Sequence, residues 1–354
     1  MNKRLINDDG STVLDFIRGI SSQLVVLGHL LSFYGIMEFY KIPVIQNFGV
    51  MVFFILSGFL ITQTTILKGK AYGCKNYLID RFSRIYSAFL PALILVLVTD
   101  FFLKRYGQYP GYDYSLRSFL GNIFMLQYHP VFRHLGIQPF GSARPFWTVS
   151  VEWFFYIFFG VIYYLSIKKI LTGYINFILF GLSFIMVFYC FGGGQQGLSY
   201  YWLLGSVSSY FYNENKLQIK SKATYFGLLS ILIFGMIFRI YNLKLIEMYD
   251  IGLAINFTLI FLLLLNPSSH LNFILKKRYF RIFSSWLASY SYSLYLIHYT
   301  YIVVFKQSIR FKSIYVNILL IFVLVNIVSY LFYLFFEKGH LTLRRKLKFH
   351  LSKF

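Results

Sequence analysis

Three ionisable side chains lie inside the first long apolar stretch of the chain: Asp15, Arg18 and His29. At 3.6 residues per helical turn, Arg18 and His29 share one helix face, and Asp15 joins them from one turn before Arg18. The helical rise of 1.5 Å per residue places His29 roughly 16 Å deeper than Arg18, near the middle of a ~30 Å hydrocarbon core. Ionisable groups in such a setting usually mark a functional site. An imidazole there has the chemistry of a general base or a nucleophile.

A structural interpretation of the same helix stays open. In that interpretation Arg18 extends its side chain to the membrane surface, and His29 only hydrogen-bonds a neighbouring helix. In the functional interpretation, Asp15 holds Arg18 in an ion pair near one membrane surface, and His29 carries the chemistry at the midplane.

A pair of arginines, Arg81 and Arg84, stands at the mouth of the third apolar stretch. Their spacing of three residues puts both on one helical face, and two forked guanidinium groups suit the oxygens of a phosphate. The alternative is an anchor pair that only sets the orientation of the span. The pair shares its side of the membrane with Arg18. That side is the cytoplasm, where nucleotide-bearing donors are found.

A carboxylate, Glu152, lies six residues into the apolar helix that opens at Phe146. This position predicts shallow burial beneath the outer membrane surface, where a carboxylate needs a partner. Glu152 can orient an imidazolium ion or hold a polar acceptor. A structural ion pair with Arg133 or Arg144 of the preceding loop is an equal alternative.

Small and hydroxyl-bearing side chains interrupt two further apolar stretches. Ser57 and Gly58 in the second stretch allow either close approach of two helices or passage of a slender ligand between them, and helix packing is favoured. Residues 289–298 read Ser-Tyr-Ser-Tyr-Ser-Leu-Tyr-Leu-Ile-His. These groups can line the same cavity as His29, but a tyrosine-rich interfacial belt is the favoured interpretation.

The composition indicates an all-α polytopic membrane protein. Hydrophobic residues make up 58% of the 354 residues, aromatic residues 22% and charged residues only 13%, which excludes an ordinary soluble domain. The net charge of +22 does not indicate nucleic-acid binding, because the basic residues lie between the apolar runs. The two cysteines predict neither a disulfide framework nor a metal site. The polar start of the chain leads into the first span without a cleavage-like site.

Apolar runs predict about ten membrane spans. The prolines and glycines of the long connection 104–145 predict turns rather than a span, and its residues 116–128 are predicted to form a re-entrant or interfacial helix. Of the 34 Lys and Arg residues, 22 lie on one side of these spans and 11 on the other, while Arg18 lies within the first span. This bias places both termini in the cytoplasm. The chain is predicted to be one membrane domain over residues 1–354, embedded over about 13–336, with a basic cytoplasmic tail at 337–354. The predicted spans are 13–35, 48–67, 85–103, 146–167, 174–191, 200–212, 223–241, 251–265, 284–305 and 313–336.

Taken together, these motifs resemble the acyltransferase-3 family of integral membrane O-acyltransferases. They occur in that family's order across about residues 13–336. The motifs are Asp-x-x-Arg with Arg-x10-His (Asp15, Arg18, His29), Phe-Phe-Ile-Leu-Ser-Gly-Phe (53–59), Arg-x-x-Arg (Arg81, Arg84), Trp-Thr-Val-Ser-Val-Glu (147–152) and Ser-Tyr-Ser-Leu-Tyr-Leu-Ile-His (291–298).

The resemblance implies a ten-helix enzyme of the bacterial inner membrane. It would take an acyl group, by family preference acetyl, from cytoplasmic acetyl-CoA and deliver it to a surface polysaccharide or a lipid-linked sugar. His29, Arg18, Asp15 and Glu152 are then the expected catalytic group. Arg81, Arg84 and Ser57 are the expected donor-binding residues, and no metal is required.

Two other classes of function fit parts of the same pattern. A proton-coupled transporter or exporter would also place Arg, His and Glu inside the membrane, but the two halves show no inverted repeat and no matching broken helices. A non-catalytic scaffold or glycan-binding membrane protein is the least economical alternative, because it leaves the ordered motifs unexplained.

Overall fold

The computed structural model describes residues 8–105, 111–165, 167–213, 219, 221–242, 248–266 and 275–351. These residues are almost entirely helical, and the part of the chain they cover contains no β-strand, only an isolated bridge between Asp113 and Phe140. The α-helices of the described residues are, in chain order, α1 (Asp8–Phe33), α2 (Ile36–Tyr40), α3 (Ile45–Lys68), α4 (Cys74–Arg105), α5 (Leu116–Ile123), α6 (Phe146–Tyr164), α7 (Ile167–Thr172), α8 (Tyr174–Phe191), α9 (Leu198–Asn213), α10 (Lys222–Asn242), α11 (Ile251–Leu265), α12 (Arg278–Ser289), α13 (Ser291–Ser308), α14 (Ile314–Phe332) and α15 (His340–Leu351).

Several of these helices have the length and composition of membrane spans. An apolar helix of about 20 residues satisfies its own backbone hydrogen bonds in lipid. Within the described ranges, seven helical segments meet both criteria: α1, α3, α4, α6, α8, α10 and the run that begins with α14. The predicted class, an all-α polytopic membrane protein, is confirmed. The count of ten spans and the cytoplasmic placement of both termini stay predictions.

The chain divides into two compact units, each built from two separate parts of the sequence. Unit 1 comprises Met1–Gly69 and Gly193–Ser291, and unit 2 comprises Lys70–Gly192 and Tyr292–Phe354. Unit 1 therefore contains α1 and α3, whereas unit 2 contains α4 and α6. The expected catalytic and donor-binding residues are distributed over both units. A single membrane domain over the whole chain stays a prediction.

The helices differ most from those expected in three places. α4 begins at Cys74, eleven residues before the predicted span, so both arginines lie within the helix rather than before its start. The predicted span 284–305 is two helices, because α12 ends at Ser289 and α13 begins at Ser291. The predicted re-entrant helix is helical only as far as Ile123. Apolar length alone could not locate these ends, since polar first turns continue a helix at little cost.

Close helix packing in unit 1 depends on glycines. A side chain at Gly58 of α3 would collide with the carbonyl oxygen of Trp202 in α9, and one at Gly205 of α9 would collide with the carbonyl oxygen of Ile55. Small residues at facing positions let two backbones approach within van der Waals contact. The packing interpretation is therefore confirmed at Gly58, and this contact does not test the role of Ser57.

In unit 2, α4 is the helix on which the other elements pack. Tyr77 near its start lies against Gly160 of α6, where a side chain would collide with the tyrosine ring. Further along, Phe89 packs on Phe146 with ring centroids 4.9 Å apart. The carboxylate of Asp100 near the end of α4 is buried and accepts hydrogen bonds from the loop before α6. α4 thus fixes both α6 and the loop that precedes it.

Candidate active site

α1 carries Asp15, Arg18 and His29 in unit 1. The helix is unbroken from Asp8 to Phe33, so the predicted common face is preserved. All three side chains are half-buried, and Asp15 lies close enough to Arg18 for their opposite charges to interact. The structure therefore brings together the two groups expected to pair on this helix.

The segment around His29 is held closely against α3. Gly28 leaves no room for a side chain, because Gln46 of α3 occupies the adjacent space. Gln46 is itself buried, and its Nε2 atom donates to the hydroxyl of Ser32 at 3.3 Å. The sequence reasoning missed this buried amide, which packs against the residue before the candidate base, although a glutamine in an otherwise apolar stretch is a usable signal.

Ser57 lies on α3, three turns beyond Gln46. Its side chain is largely buried beside the close contact that Gly58 makes with α9. The proposed role of Ser57 in donor binding has no direct support from this packing and stays a prediction.

The two arginines of α4, in unit 2, have different surroundings. The guanidinium of Arg81 lies over two aromatic rings, 5.3 Å from the centroid of Tyr77 and 5.8 Å from that of Tyr156. The guanidinium of Arg84 lies 5.6 Å from the ring centroid of Tyr292, and its Nη1 atom donates to Glu337 at 2.5 Å. Because aromatic faces attract cations, these contacts hold both guanidinium groups in place. An arginine that only anchors a span at the membrane surface would not need such contacts.

Glu337 was not identified from the sequence as a site residue. It is fully buried at the end of a π-helical turn, Tyr333–Glu337, that follows α14. Besides Arg84, its carboxylate accepts the backbone N–H of Ser293 at 3.1 Å and the hydroxyl of Ser293 at 2.6 Å. A lone acidic residue at the border of a basic tail gave no signal of this role, because its partner lies 253 positions earlier in the chain.

Glu152 of α6 belongs to the same region of unit 2 as the two arginines. It accepts a hydrogen bond from the hydroxyl of Tyr156, the residue whose ring lies under Arg81. Glu152 and Arg84 both lie close enough to Tyr292 for their charges to interact with its hydroxyl group. The structure thus brings Arg81, Arg84 and Glu152 together through two tyrosines that the sequence reasoning did not assign.

Arg144, one of the two loop arginines considered as a partner of Glu152, lies 5.6 Å from the ring centroid of Tyr112. Its exposed guanidinium therefore stacks on an aromatic residue of the long loop. This contact gives Arg144 a place in the loop before α6 that the sequence alone did not indicate.

The serine- and tyrosine-rich segment at 289–298 is buried rather than interfacial. Tyr290 and Tyr295 are both largely shielded, and His298 is fully buried with Nδ1 facing the carbonyl oxygens of Leu294 and Tyr295. The interpretation of these residues as an interfacial tyrosine belt is wrong. Their hydroxyl groups make internal hydrogen bonds, as Tyr295 does with Thr148, and such bonds offset the cost of burial.

Metal binding in the described part of the chain would require a cluster of side chains that could hold the ion. Among those residues, no group of three or more His, Cys, Asp or Glu side chains lies close enough together to hold a metal ion. The ionisable groups that the sequence singled out lie on α1 in unit 1 and around α4 and α6 in unit 2.

These features define a helical membrane protein with ionisable groups buried in its apolar helices. The chain belongs to the acyltransferase-3 family, since the family's acyltransferase domain matches residues 12–334. An uncharacterized protein of Haemophilus influenzae is 26% identical over 193 residues, which cover 48% of this chain and 78% of that protein. No solved structure matches the chain. The protein is thus a membrane acyltransferase in general terms, as the sequence motifs suggested.

Proposed function

We propose that the protein moves an acetyl group from cytoplasmic acetyl-CoA to a hydroxyl of a surface polysaccharide or a lipid-linked sugar. It would do so in the inner membrane of a bacterium, with both termini in the cytoplasm. The observation that carries this proposal is the gathering of Arg81, Arg84 and Glu152 in unit 2, in a chain whose family is that of membrane acyltransferases.

The Arg-x-x-Arg turn of α4 is the proposed binding site for the donor's phosphate groups. Coenzyme A carries several phosphate oxygens, and guanidinium groups bind such oxygens through paired N–H donors. Arg81 and Arg84 lie within the first eleven residues of α4, near the end of the helix assigned to the cytoplasm. The nucleotide part of the donor would therefore be held at that side of the membrane.

His29 is the proposed group for proton transfer. As the acceptor oxygen forms its bond to the thioester carbonyl carbon, the imidazole takes the hydroxyl proton, and the C–S bond breaks to release the thiolate. The proton then passes to the thiolate, which leaves as the thiol of coenzyme A. In a two-step variant the imidazole itself accepts the acetyl group first and the sugar hydroxyl then displaces it.

The other expected residues have supporting tasks in this proposal. Asp15 would hold Arg18 through the attraction between their opposite charges. Glu152 accepts a hydrogen bond from the hydroxyl of Tyr156, and this chemistry supports its proposed role of holding a hydroxyl of the sugar. Ser57 would contribute to the passage of the donor's slender pantetheine arm.

Deleting the gene tests this function against export of a glycan. An acetyltransferase predicts that the surface glycan is still made but lacks acetyl esters, which proton NMR and mass spectrometry of purified glycan detect. Restoring the wild-type gene should restore the esters. Loss of the glycan itself from the surface, with no ester-free form present, would contradict the proposal and favour an exporter.

A further inference from the structure

The helix α15 is strongly basic and packs on the helix that carries the Arg-x-x-Arg turn. It contains Arg344, Arg345, Lys346 and Lys348 and no acidic residue. It contacts α4, and both helices belong to unit 2. A cluster of positive charge therefore adjoins the turn proposed to hold the phosphates of the donor.

The start of α15 lies at the level of Arg84. Glu337, which ends the π-helical turn before α15, is fully buried, and its Oε1 atom lies 2.5 Å from Nη1 of Arg84. His340 opens α15, and its Nδ1 atom lies 3.0 Å from the carbonyl oxygen of Glu337. The first turn of α15 is therefore held beside the proposed donor site.

A second contact with α4 involves two cations and one carboxylate. Asp80 is largely buried and lies about one helical turn before Arg84. Its carboxylate accepts from the hydroxyl of Tyr72 at 2.6 Å and lies 2.9 Å from Nζ of Lys348. The Nε atom of Arg344 lies 3.6 Å from the same carboxylate. Because Lys348 and Arg344 face a single Asp80, this group of three carries a net positive charge.

Arg344 is the more accessible of the two cations. Its distance of 3.6 Å from Asp80 exceeds that of an ordinary N–H···O hydrogen bond, so the ion pair is loose. Its side chain is 39% exposed, against 28% for Lys348, which lies closer to the carboxylate. A guanidinium carries five N–H donors in a planar fork that matches the oxygens of a phosphate. Arg344 can therefore bind a further anion that approaches from the solvent.

The position of Arg344 fits the order of groups in the proposed donor. Seven residues separate it from Glu337, about 10 Å along a helix. Its partner Asp80 lies nearer than Arg84 to the start of α4, the end assigned to the cytoplasm, so Arg344 lies farther out than Arg84. In acetyl-CoA the thioester is followed by the pantetheine arm, the diphosphate and then a ribose with a 3′-phosphate. With the diphosphate at the Arg-x-x-Arg turn, the 3′-phosphate is the next anionic group outward.

We infer that Arg344 binds the ribose 3′-phosphate of the donor and so makes the enzyme selective for thioesters that carry this phosphate. The inference rests on the proposed function for the donor and goes beyond it by naming the part of the donor that α15 recognises. The rival role for Arg344 is to fasten α15 to α4 through Asp80. In that role its loss would affect all donors equally, whereas loss of a phosphate contact affects only the donor that has the phosphate.

The experiment compares two donors that differ only in the 3′-phosphate, acetyl-CoA and acetyl-dephospho-CoA. Isothermal titration calorimetry gives the Kd of each for the purified full chain in lipid nanodiscs. The wild type should bind acetyl-CoA on the order of ten-fold more tightly, because of one additional charge-assisted contact. Arg344→Met should weaken acetyl-CoA binding to the level of acetyl-dephospho-CoA and leave the Kd of the latter unchanged.

Arg345→Met is the matched control. It removes the same charge from the next residue of α15, which is exposed, and should keep the wild-type ratio of the two Kd values. The unfolding temperature of each variant is measured alongside. Should Arg344→Met fold poorly, Arg344→Lys keeps the positive charge that faces Asp80 but not the planar fork. Its ratio of Kd values should then lie between one and that of the wild type.

Three results would overturn the inference. They are equal Kd values for the two donors in the wild type, a wild-type ratio in Arg344→Met (or in Arg344→Lys where the first variant does not fold), and an equal loss of the ratio in Arg345→Met. A wild type that binds both donors equally would leave acetyl-CoA standing as the donor. A wild type that binds neither would refute the proposed donor itself.

Discussion

His129 should make the stability of the protein depend on pH in a way that a single substitution removes. The residue is fully buried in unit 2, in the loop between α5 and α6. Its Nδ1 atom accepts the backbone N–H of Val131 at 3.3 Å, and Nε2 faces the carbonyl oxygen of Leu182 at 3.2 Å. These contacts require a neutral ring that carries its proton on Nε2, because a proton on Nδ1 would break the first hydrogen bond.

Burial is the cause that lowers the pKa of His129 from 6.5 to about 4, against the opposing effect of the hydrogen bond to Leu182. Because the folded pKa lies below the unfolded one, the unfolded chain takes up the proton first as the pH falls. The stability contributed by His129 is therefore complete at pH 8 and is lost as the pH falls from 6.5 to about 4. The loss amounts to about 2 kcal/mol by pH 5 and about 3 kcal/mol below pH 4.

The assay is reversible unfolding of the purified protein in mixed detergent micelles, followed by circular dichroism at pH 8 and pH 5. The wild type should lose about 2 kcal/mol more than His129→Gln over this interval, since glutamine does not titrate. His134→Gln is the matched control, because His134 is exposed and its replacement should leave the wild-type pH dependence intact. The same pH dependence in the wild type and in His129→Gln would refute the reasoning.

Two further predictions concern packing and buried hydrogen bonds, measured by the same unfolding assay. Gly58→Ala should destabilise the protein by about 1–3 kcal/mol, because the new methyl group collides with the carbonyl oxygen of Trp202. Gly227→Ala is the control and should not destabilise the protein, because no atom lies within 4 Å of the added methyl group. Equal effects of the two substitutions would contradict this account of the α3–α9 contact. Asp100→Ala should destabilise the protein by about 1–3 kcal/mol, because the backbone N–H and the hydroxyl of Ser142 lose the acceptor that they bind at 2.7 and 2.8 Å. Asp100→Asn should destabilise the protein less. An Asp100→Ala protein as stable as the wild type would show that these bonds do not hold the loop.

Apolar patterning predicted the helices well because lipid imposes a strong constraint on their length and composition. The helices α8 and α11 have the predicted bounds, and α3 differs from its predicted bounds by three residues or fewer. Patterning failed where a helix continues into polar sequence, as α4 does toward Cys74. It also missed the break at Tyr290, since a single turn between two apolar helices leaves the average hydropathy unchanged.

The candidate site was predictable in part. The ionisable residues of α1 and α6 were identified by their position in apolar stretches, where charge is rare. The arginines of α4 were identified by their spacing at the mouth of such a stretch. Their partners were not, because the contact of Arg84 with Glu337 and that of Arg84 with Tyr292 join residues more than 200 positions apart. Composition and helical periodicity describe single helices, so only the folded structure shows which helices meet.

The central claim is that His29 carries the proton transfer of an acetyl-CoA-dependent O-acetyltransferase. The most direct measurement is the transfer of radiolabelled acetyl groups from acetyl-CoA by purified His29→Gln protein. Cell-envelope material from a strain that lacks the gene would serve as the acceptor, and rates would be normalised to folded protein. Glutamine keeps hydrogen-bonding groups but cannot carry the proton, so the rate should fall about 10²–10⁴-fold while acetyl-CoA binding is retained. Activity within a few-fold of the wild type would contradict the claim.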